Sequence, residues 1–251
     1  MNNVIDYFSK RASVYNSSDW VNDKDILHTI LKCLNSTEAS FLNILDLGAG
    51  TGAVSNYLLY NLLSDTRIVA LDVCAEMLQK NCEQRILKIL SSAEKMPFID
   101  NSFDVIVSRQ CMHYIDDLNK AIDEIKRVLK CGGIFVLSQF VPLETETKNF
   151  WIDMMKVRQP LRKNFYSEKD WIELFIQHGF SVNSVERYSK PYSIKKWAQT
   201  YNVEQNVEIS PYQTILKNAP IEYIKEYGVR EKNNDILINS FGVTISFQKD
   251  K

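Results

Sequence analysis

Across 251 residues the chain is 45% hydrophobic and 24% charged, ordinary globular usage that suits one large domain or two small ones. Its 30 basic and 31 acidic residues leave a formal charge of −1, which disfavours a tight nucleic-acid binder, since such proteins show a basic excess. No segment approaches the roughly 18 apolar residues of a membrane span, and the opening MNNVIDYFSKR lacks the apolar core of a signal peptide, so a cytoplasmic protein is expected.

Residues 1–35 predict two helices, with Val4, Ile5 and Phe8 at helical spacing in the first and Ile26, Leu27, Ile30, Leu31 and Leu34 in the second. Asp19 is expected near the cap of the second. From residue 43 short apolar runs alternate with amphipathic stretches. Strand Asn43–Leu47 leads through Gly48-Ala49-Gly50-Thr51-Gly52 into a helix to Leu63. Strand Arg67–Leu71 is followed by a helix from Cys74 to Gln84, and strand Ile86–Leu90 comes next. Strand Phe103–Val107 precedes a helix over Leu118–Leu129, which Gly132 and Gly133 are expected to break before strand Ile134–Phe140. This alternation implies a parallel sheet with helices on both faces. Beyond it lie a polar and aromatic stretch over 142–168, a short helix Trp171–Gln177 ended by His178 and Gly179, and a strand Phe180–Arg187. A segment rich in Tyr, Lys and Asn then separates these from a long last strand, Ile236–Phe247. The five cysteines, Cys33, Cys74, Cys82, Cys111 and Cys131, are odd in number and scattered, a pattern of neither disulfides nor zinc; no metal is expected.

The glycine turn carries the strongest chemical signal. An apolar strand runs into three glycines at alternate positions, where the turn needs positive φ and the backbone must approach a ligand closely. In an open parallel sheet that ligand lies beyond the carboxyl ends of the strands. The spacing is G-x-G-x-G rather than the dinucleotide G-x-G-x-x-G, and Asp46 precedes it. A carboxylate there suits a cationic, amino-acid-bearing ligand better than a pyrophosphate. Asp72 ends the second strand about 20 residues after the glycines, where an acidic side chain accepts from both ribose hydroxyls of a nucleoside.

Together these residues resemble the class I S-adenosylmethionine (SAM)-dependent methyltransferases, type 11, the group of the ubiquinone/menaquinone and biotin-pathway enzymes. ILDLGAGTG resembles motif I, ALD at Asp72 the ribose motif, SSAEKMPFIDNSFDVIVSRQCMHYIDD the adenine and substrate-facing stretch, and EIKRVLKCGGIFVLSQF the fifth-strand motif. The resemblance covers residues 40–140 closely and the termini loosely. It implies a Rossmann-like open twisted sheet of about seven strands, mostly parallel with an antiparallel last strand. It implies one domain, divided into an N-terminal helical lid (1–40), a SAM-binding core (41–141), substrate-side segments with a helical cap (142–232) and the final strand (233–251).

Carried over position by position, the resemblance places Gly48, Ala49, Gly50 and Gly52 around the amino-acid part of SAM, with Asp46 beneath. Asp72 would bind the ribose, Val73 and Met77 would line the adenine, and Ser92, Ala93 and Glu94 would form its loop. Ser92 stands where relatives usually have Asp, and a hydroxyl accepts more weakly than a carboxylate. Cys131 replaces the usual proline before Gly132. Ser108, Arg109 and Gln110 end the fourth strand against SAM and substrate, and Tyr114 follows. His113 is the candidate base, since imidazole titrates near neutrality; a packing and positioning role is the alternative. The leading helix would cover SAM with Tyr7 and Tyr15 and reach its carboxylate with Arg11.

Trp151, Arg158, Arg162 and Trp197 are expected on the substrate side, where aromatics interleaved with cations suit a planar or acidic small molecule. Trp197, Tyr201, Tyr212, Tyr223 and Tyr227 would build the cap. The expected activity is methyl transfer from SAM, released as S-adenosylhomocysteine, to the oxygen, nitrogen or carbon of a small-molecule acceptor. The alternatives are a methyltransferase acting on RNA or protein and a SAM-binding protein without catalysis. Nothing in the sequence assigns an oligomeric state.

Overall fold

The computed structural model describes residues 2–34, 41–62, 65–201, 210–233 and 235–250; the side chains of Tyr201 and Tyr212 lie outside that description. In chain order the elements are α1 (Asn2–Arg11), α2 (Lys24–Leu34), β1 (Phe41–Leu47), α3 (Ala53–Asn61), β2 (Asp65–Asp72), α4 (Ala75–Gln79) and β3 (Leu87–Leu90). They continue with β4 (Phe103–Arg109), α5 (Leu118–Val128), β5 (Leu129–Phe140), α6 (Lys148–Arg158), α7 (Glu168–Gln177) and β6 (Phe180–Ser193). Last come α8 (Ile194–Tyr201), α9 (Ser210–Lys217), α10 (Ile221–Glu226), β7 (Arg230–Lys232) and β8 (Asp235–Lys249).

The main sheet path runs β3-β2-β1-β4-β5-β8-β6, with the short β7 paired to β8. Strands β1 to β5 pair in parallel, and β8 lies antiparallel between β5 and β6. Chain order reverses between β1 and β4, so a crevice opens at their carboxyl ends, the position where open α/β sheets bind ligands.

Two-residue alternation along the strands builds two cores. Ile44, Ile68, Ala70, Val105, Val107 and Val136 face one way and pack with Leu27 and Ile30 of α2 and Leu58 of α3. Leu45, Val69, Ile106, Phe135 and Phe247 face the other way against Ile122 and Ile125 of α5 and Trp171 and Phe175 of α7. A third core, around Trp20, Phe140, Trp151, Tyr192, Trp197, Tyr223 and Tyr227, joins the lid to the cap.

Four local expectations are corrected. Asp23, not Asp19, caps α2: its carboxylate accepts from the amides of Asp25 (3.0 Å) and Ile26 (3.2 Å), while Asp19 pairs with Lys196 on the cap (2.9 Å). Helix α4 stops at Gln79, because Asn81 turns the chain by accepting from the Glu83 amide at 3.0 Å. Gly132 and Gly133 do not end α5; the backbone is already extended at Leu129, and the pair lies in a bulge between the Phe103–Leu129 and Val105–Ile134 partners. Finally, β6 continues past Arg187 to Ser193 despite Pro191, which an edge strand tolerates. Among the described residues no helix is long and apolar enough to cross a membrane, and no three His, Cys, Asp or Glu side chains gather as a metal site requires.

Tyr188 of β6 lies opposite Gly242 of β8, and a Cβ at Gly242 would fall 2.3 Å from the tyrosine ring. The ring is also packed on Phe140 (6.1 Å), so it has little freedom to withdraw. Gly242→Ala is expected to cost about 1–3 kcal/mol by overpacking. Urea denaturation should show a lower midpoint at an unchanged slope; an unshifted midpoint would refute this packing.

Candidate active site

The turn after β1 is held from the neighbouring strand β2. Gly48 and Ala49 donate their amides to the Leu71 carbonyl of β2 at 2.8 and 3.0 Å. The Asp72 carboxylate then spans the crevice floor, accepting from the Gly50 amide (2.8 Å) with one oxygen and from the Cys74 amide (2.9 Å) with the other. Burial raises the Asp72 pKa, and the amides of Cys74, Gly50 and Val73 oppose that rise by favouring the ionised form.

Each glycine of the turn has a positive φ, but the reasons differ. A Cβ on Gly48 would collide with Cys111 Sγ at 2.2 Å, and one on Gly52 with Asn81 Nδ2 at 2.1 Å. These two are glycines because side chains of the body pack against the turn. Gly50 instead meets Met77 and Tyr15 at ordinary or slightly close range, along the open cleft.

Asp46 is 1% exposed and does not line the cleft. It caps α3 from the sheet, accepting from the Ser55 amide at 3.0 Å and from the Ser55 hydroxyl. Gly52, at the N-cap, has no side chain for that task. Burial lifts the Asp46 carboxyl from its ordinary 3.8 to about 6, against the pull of those two hydrogen bonds.

The cleft encloses about 780 Å³, part of it open to solvent. Val4, Phe8 and Tyr15 of the lid form one wall, and Gly48, Gly50 and Asp72 lie on the floor. Val73, Met77, Ala93 and Ile115 supply apolar surface, with Ser92 and Glu94 at the rim. Arg109, Gln110, Cys111 and Tyr114 close the inner end. Ser92 is oriented by its own turn, its hydroxyl oxygen accepting from the Glu94 amide at 3.1 Å.

This is an acid-floored cleft at a topological switch point, edged by a tight glycine turn. Residues 45–137 match the type 11 methyltransferase domain (Methyltransf_11). Residues 45–137 thus carry a methyltransferase domain. The chain is 26% identical over 195 residues to YcgJ of Bacillus subtilis, an uncharacterized methyltransferase, covering 76% of each chain. It is 28% identical over 202 residues to the ubiquinone/menaquinone biosynthesis C-methyltransferase UbiE of Rickettsia bellii, covering 76% of this chain and 69% of that one. The crystal structure of YcgJ superposes with a TM-score of 0.78 at 20% identity, over 91% of this chain and 99% of that one, and so shares the methyltransferase's fold.

Several residues singled out from the sequence lie elsewhere. Ala49, Gly52, Ser108 and Asp46 support the cleft from behind its surface. Tyr7 and Arg11 do not line it; Arg11 is 1% exposed, its guanidinium 5.0–5.6 Å from the ring centres of Tyr7, Phe8 and Tyr15. It stiffens the lid's aromatic cluster instead of reaching outward. Trp151 and Trp197 are buried beneath the arginines, with Arg162 5.2 Å from Trp151 and Arg158 3.5 Å from Trp197. Arg162 binds the carbonyls of Asn164 (2.7 Å) and Phe140 (3.3 Å).

His113 is fully buried, outside the cleft lining, with Nδ1 2.8 Å from Gln139 Oε1. Burial, reinforced by Arg162 and Arg158, lowers its pKa well below 6.5 and keeps the ring neutral. Cys111 does line the cleft, but burial pushes its thiol up to about 12. Val4 and Phe8 are wall residues missed as contacts, although their i, i+4 spacing on α1 puts them on one face legible by period.

Asp46 gives a pH test. Its folded pKa of about 6 exceeds the ordinary 3.8. The folded state therefore holds that proton more tightly, and stability falls as pH rises from 4 to 6. Above pH 6 the cost is constant, on the order of 3 kcal/mol. The unfolding free energy of Asp46→Asn minus that of the wild type should rise across pH 4–6 and then level off. A flat difference would show that Asp46 does not titrate there.

Proposed function

We propose that the cleft holds SAM and that the protein methylates a small-molecule acceptor. The residues present fit the donor. Asp72 has acceptor sites left on both oxygens after binding two amides, as a vicinal diol requires. Gly50 leaves backbone open along the cleft, and the surface of Val73, Met77, Ala93 and Ile115 suits a flat base. Bound SAM supplies a methyl carbon made electrophilic by its sulfonium, which takes back the bonding electron pair as S-adenosylhomocysteine leaves.

The chain's own contribution is orientation and exclusion of water. Phe8 and Tyr114, edge to face at 5.1 Å, narrow the inner end of the cleft. Gln110, at φ +54°, holds a strained backbone with its amide on the Ser138 carbonyl at 2.9 Å, which presents its side chain at that end. His113 acts as a positioning residue: neutral and enclosed, it braces Tyr114 (ring centres 4.3 Å apart) and accepts the Lys163 amide on its carbonyl at 2.8 Å. A proton released by the acceptor then passes to solvent or to the acceptor's own neighbouring group.

One observation carries the small-molecule reading. Past Gln110 and Tyr114 the cleft meets a small chamber lined by Trp20, Phe140, Arg158 and Gln159, too narrow for a folded protein or RNA segment to enter.

Purified protein incubated with methyl-deuterated SAM and a host-cell extract should place label in the small-metabolite fraction. Label confined to RNA or protein would overturn the reading. Asp72→Asn should weaken S-adenosylhomocysteine binding about 100-fold by calorimetry, the scale of two lost hydrogen bonds to a charged acceptor. An unchanged affinity would remove Asp72 from the donor site. His113→Asn should lower turnover without moving the pH profile; loss of an inflection in that profile would make His113 a base after all.

A further inference from the structure

The main cleft carries opposite charges on the two sides of β1. Leu47 pairs with Leu71 of β2 and Asp46 with Val107 of β4, so Asp72 follows the first partner by one residue and Arg109 the second by two. Both therefore stand level with Gly48, on opposite sides of it. Two strand spacings, about 10 Å, separate them. A ligand laid over the glycine turn meets a carboxylate at one end and a guanidinium at the other.

Among the described residues that line the cleft, Arg109 is the only Arg, Lys or His, and it is 8% exposed. Its terminal nitrogens are taken by the lid, Nη1 donating to the Val21 carbonyl at 2.8 Å and Nη2 to the Trp20 carbonyl. The third edge differs. Nε is buried and has no hydrogen-bond partner among the described residues. Nor does a carboxylate of the chain neutralise the group: Asp46, whose charge it feels, is bonded to Ser55 instead. A buried cation with an idle N–H and no counter-ion is costly, and a bound anion relieves that cost. Arg11, the other arginine near the turn, lies off the cleft among the rings of Tyr7, Phe8 and Tyr15.

We propose that Arg109 holds the carboxylate of the SAM amino-acid moiety, through Nε and its charge, while Asp72 holds the ribose of the same molecule. This rests on the reading of the main cleft as the methyl-donor site. A hydrogen bond between two ionised groups is stronger than a neutral one, and burial spares it from screening. The same guanidinium fixes Trp20 and Val21, so the donor's carboxylate is joined to the lid through one side chain. Arg109 thus serves both as the tether of the lid and as the counter-charge for the donor.

The test is calorimetric titration of the full chain with S-adenosylhomocysteine and with its decarboxylated counterpart, which keeps the nucleoside, the thioether and the amine. The wild type should bind S-adenosylhomocysteine at least tenfold more tightly than the decarboxylated ligand. Arg109→Gln should cut that ratio at least fivefold. Loosening of the lid weakens both ligands alike, so the ratio reads the carboxylate contact and not the tether. Arg109→Lys keeps a cation in place for folding but has no Nε–H edge, and it should cut the ratio at least threefold. Arg11→Gln should change the ratio less than twofold. The proposal is overturned if the wild-type ratio is below tenfold, if the ratio survives in the Arg109 variants, or if Arg11→Gln collapses it. If neither ligand binds the wild type, the donor-site reading itself falls, and this proposal with it.

Discussion

A single buried guanidinium ties the lid to the sheet. Arg109, at the carboxyl end of β4, donates to the Val21 carbonyl at 2.8 Å and to the Trp20 carbonyl, with its plane near the Trp20 ring. Burying a cation without a carboxylate in contact is expensive, and burial lowers the Arg109 pKa accordingly. Two carbonyl acceptors and an aromatic face offset part of that cost. In return the segment between α1 and α2 is fixed over the crevice, with Tyr15 and Trp20 aligned as the partition between the two chambers. Beside that tether the lid is held by the core in which Trp20 and Val21 meet Phe140 and Tyr192, by Phe8 on Tyr114, by Thr51 on Asn16 (2.6 Å), and by surface pairs such as Asp19–Lys196. Exposed pairs of that kind contribute little each.

Two carboxylates on adjacent strands, two positions apart in register, show how environment separates roles. Asp46 and Asp72 belong to adjacent strands, and both are pushed toward the protonated form by burial. Asp46 spends its acceptor capacity on the first turn of α3 and faces no cavity. Asp72 accepts two backbone amides yet lines the cleft, so it alone can meet a ligand. Structural and binding acids here differ in geometry rather than in residue type.

That difference also marks what was legible in the sequence. Order and type of the core elements were readable because each strand's alternation and each helix's period are local, and the parallel core followed from them, whereas the antiparallel last strand came from the family resemblance. The glycine turn and Asp72 were readable because their spacing reflects one strand–turn–helix unit. Asn81 and Phe140 were not, since each acts through a partner brought in by the fold: Asn81 packs on Gly52, and Phe140 reaches the lid from the end of β5. Trp151 and Trp197 illustrate the opposite error. Aromatics interleaved with arginines suggested substrate contacts, but these indoles stack on Arg162 and Arg158 themselves and form the layer that supports a pocket wall. Arg11 repeats the pattern within the lid.

The distribution of charge across the partition gives the arrangement its chemical sense. Asp72, Glu94 and Asp116 line the main cleft, whereas the small chamber ends in Arg158. Tyr15, Gln110 and Tyr114 stand between the two. The acidic lining gives the main cleft a field that favours positive charge away from Arg109. Burial, reinforced by Arg162 and Arg158, holds His113 neutral from outside the cleft. Fixed charges and packed rings need no reorganisation when a ligand arrives, which is the condition under which positioning alone gives a large effect.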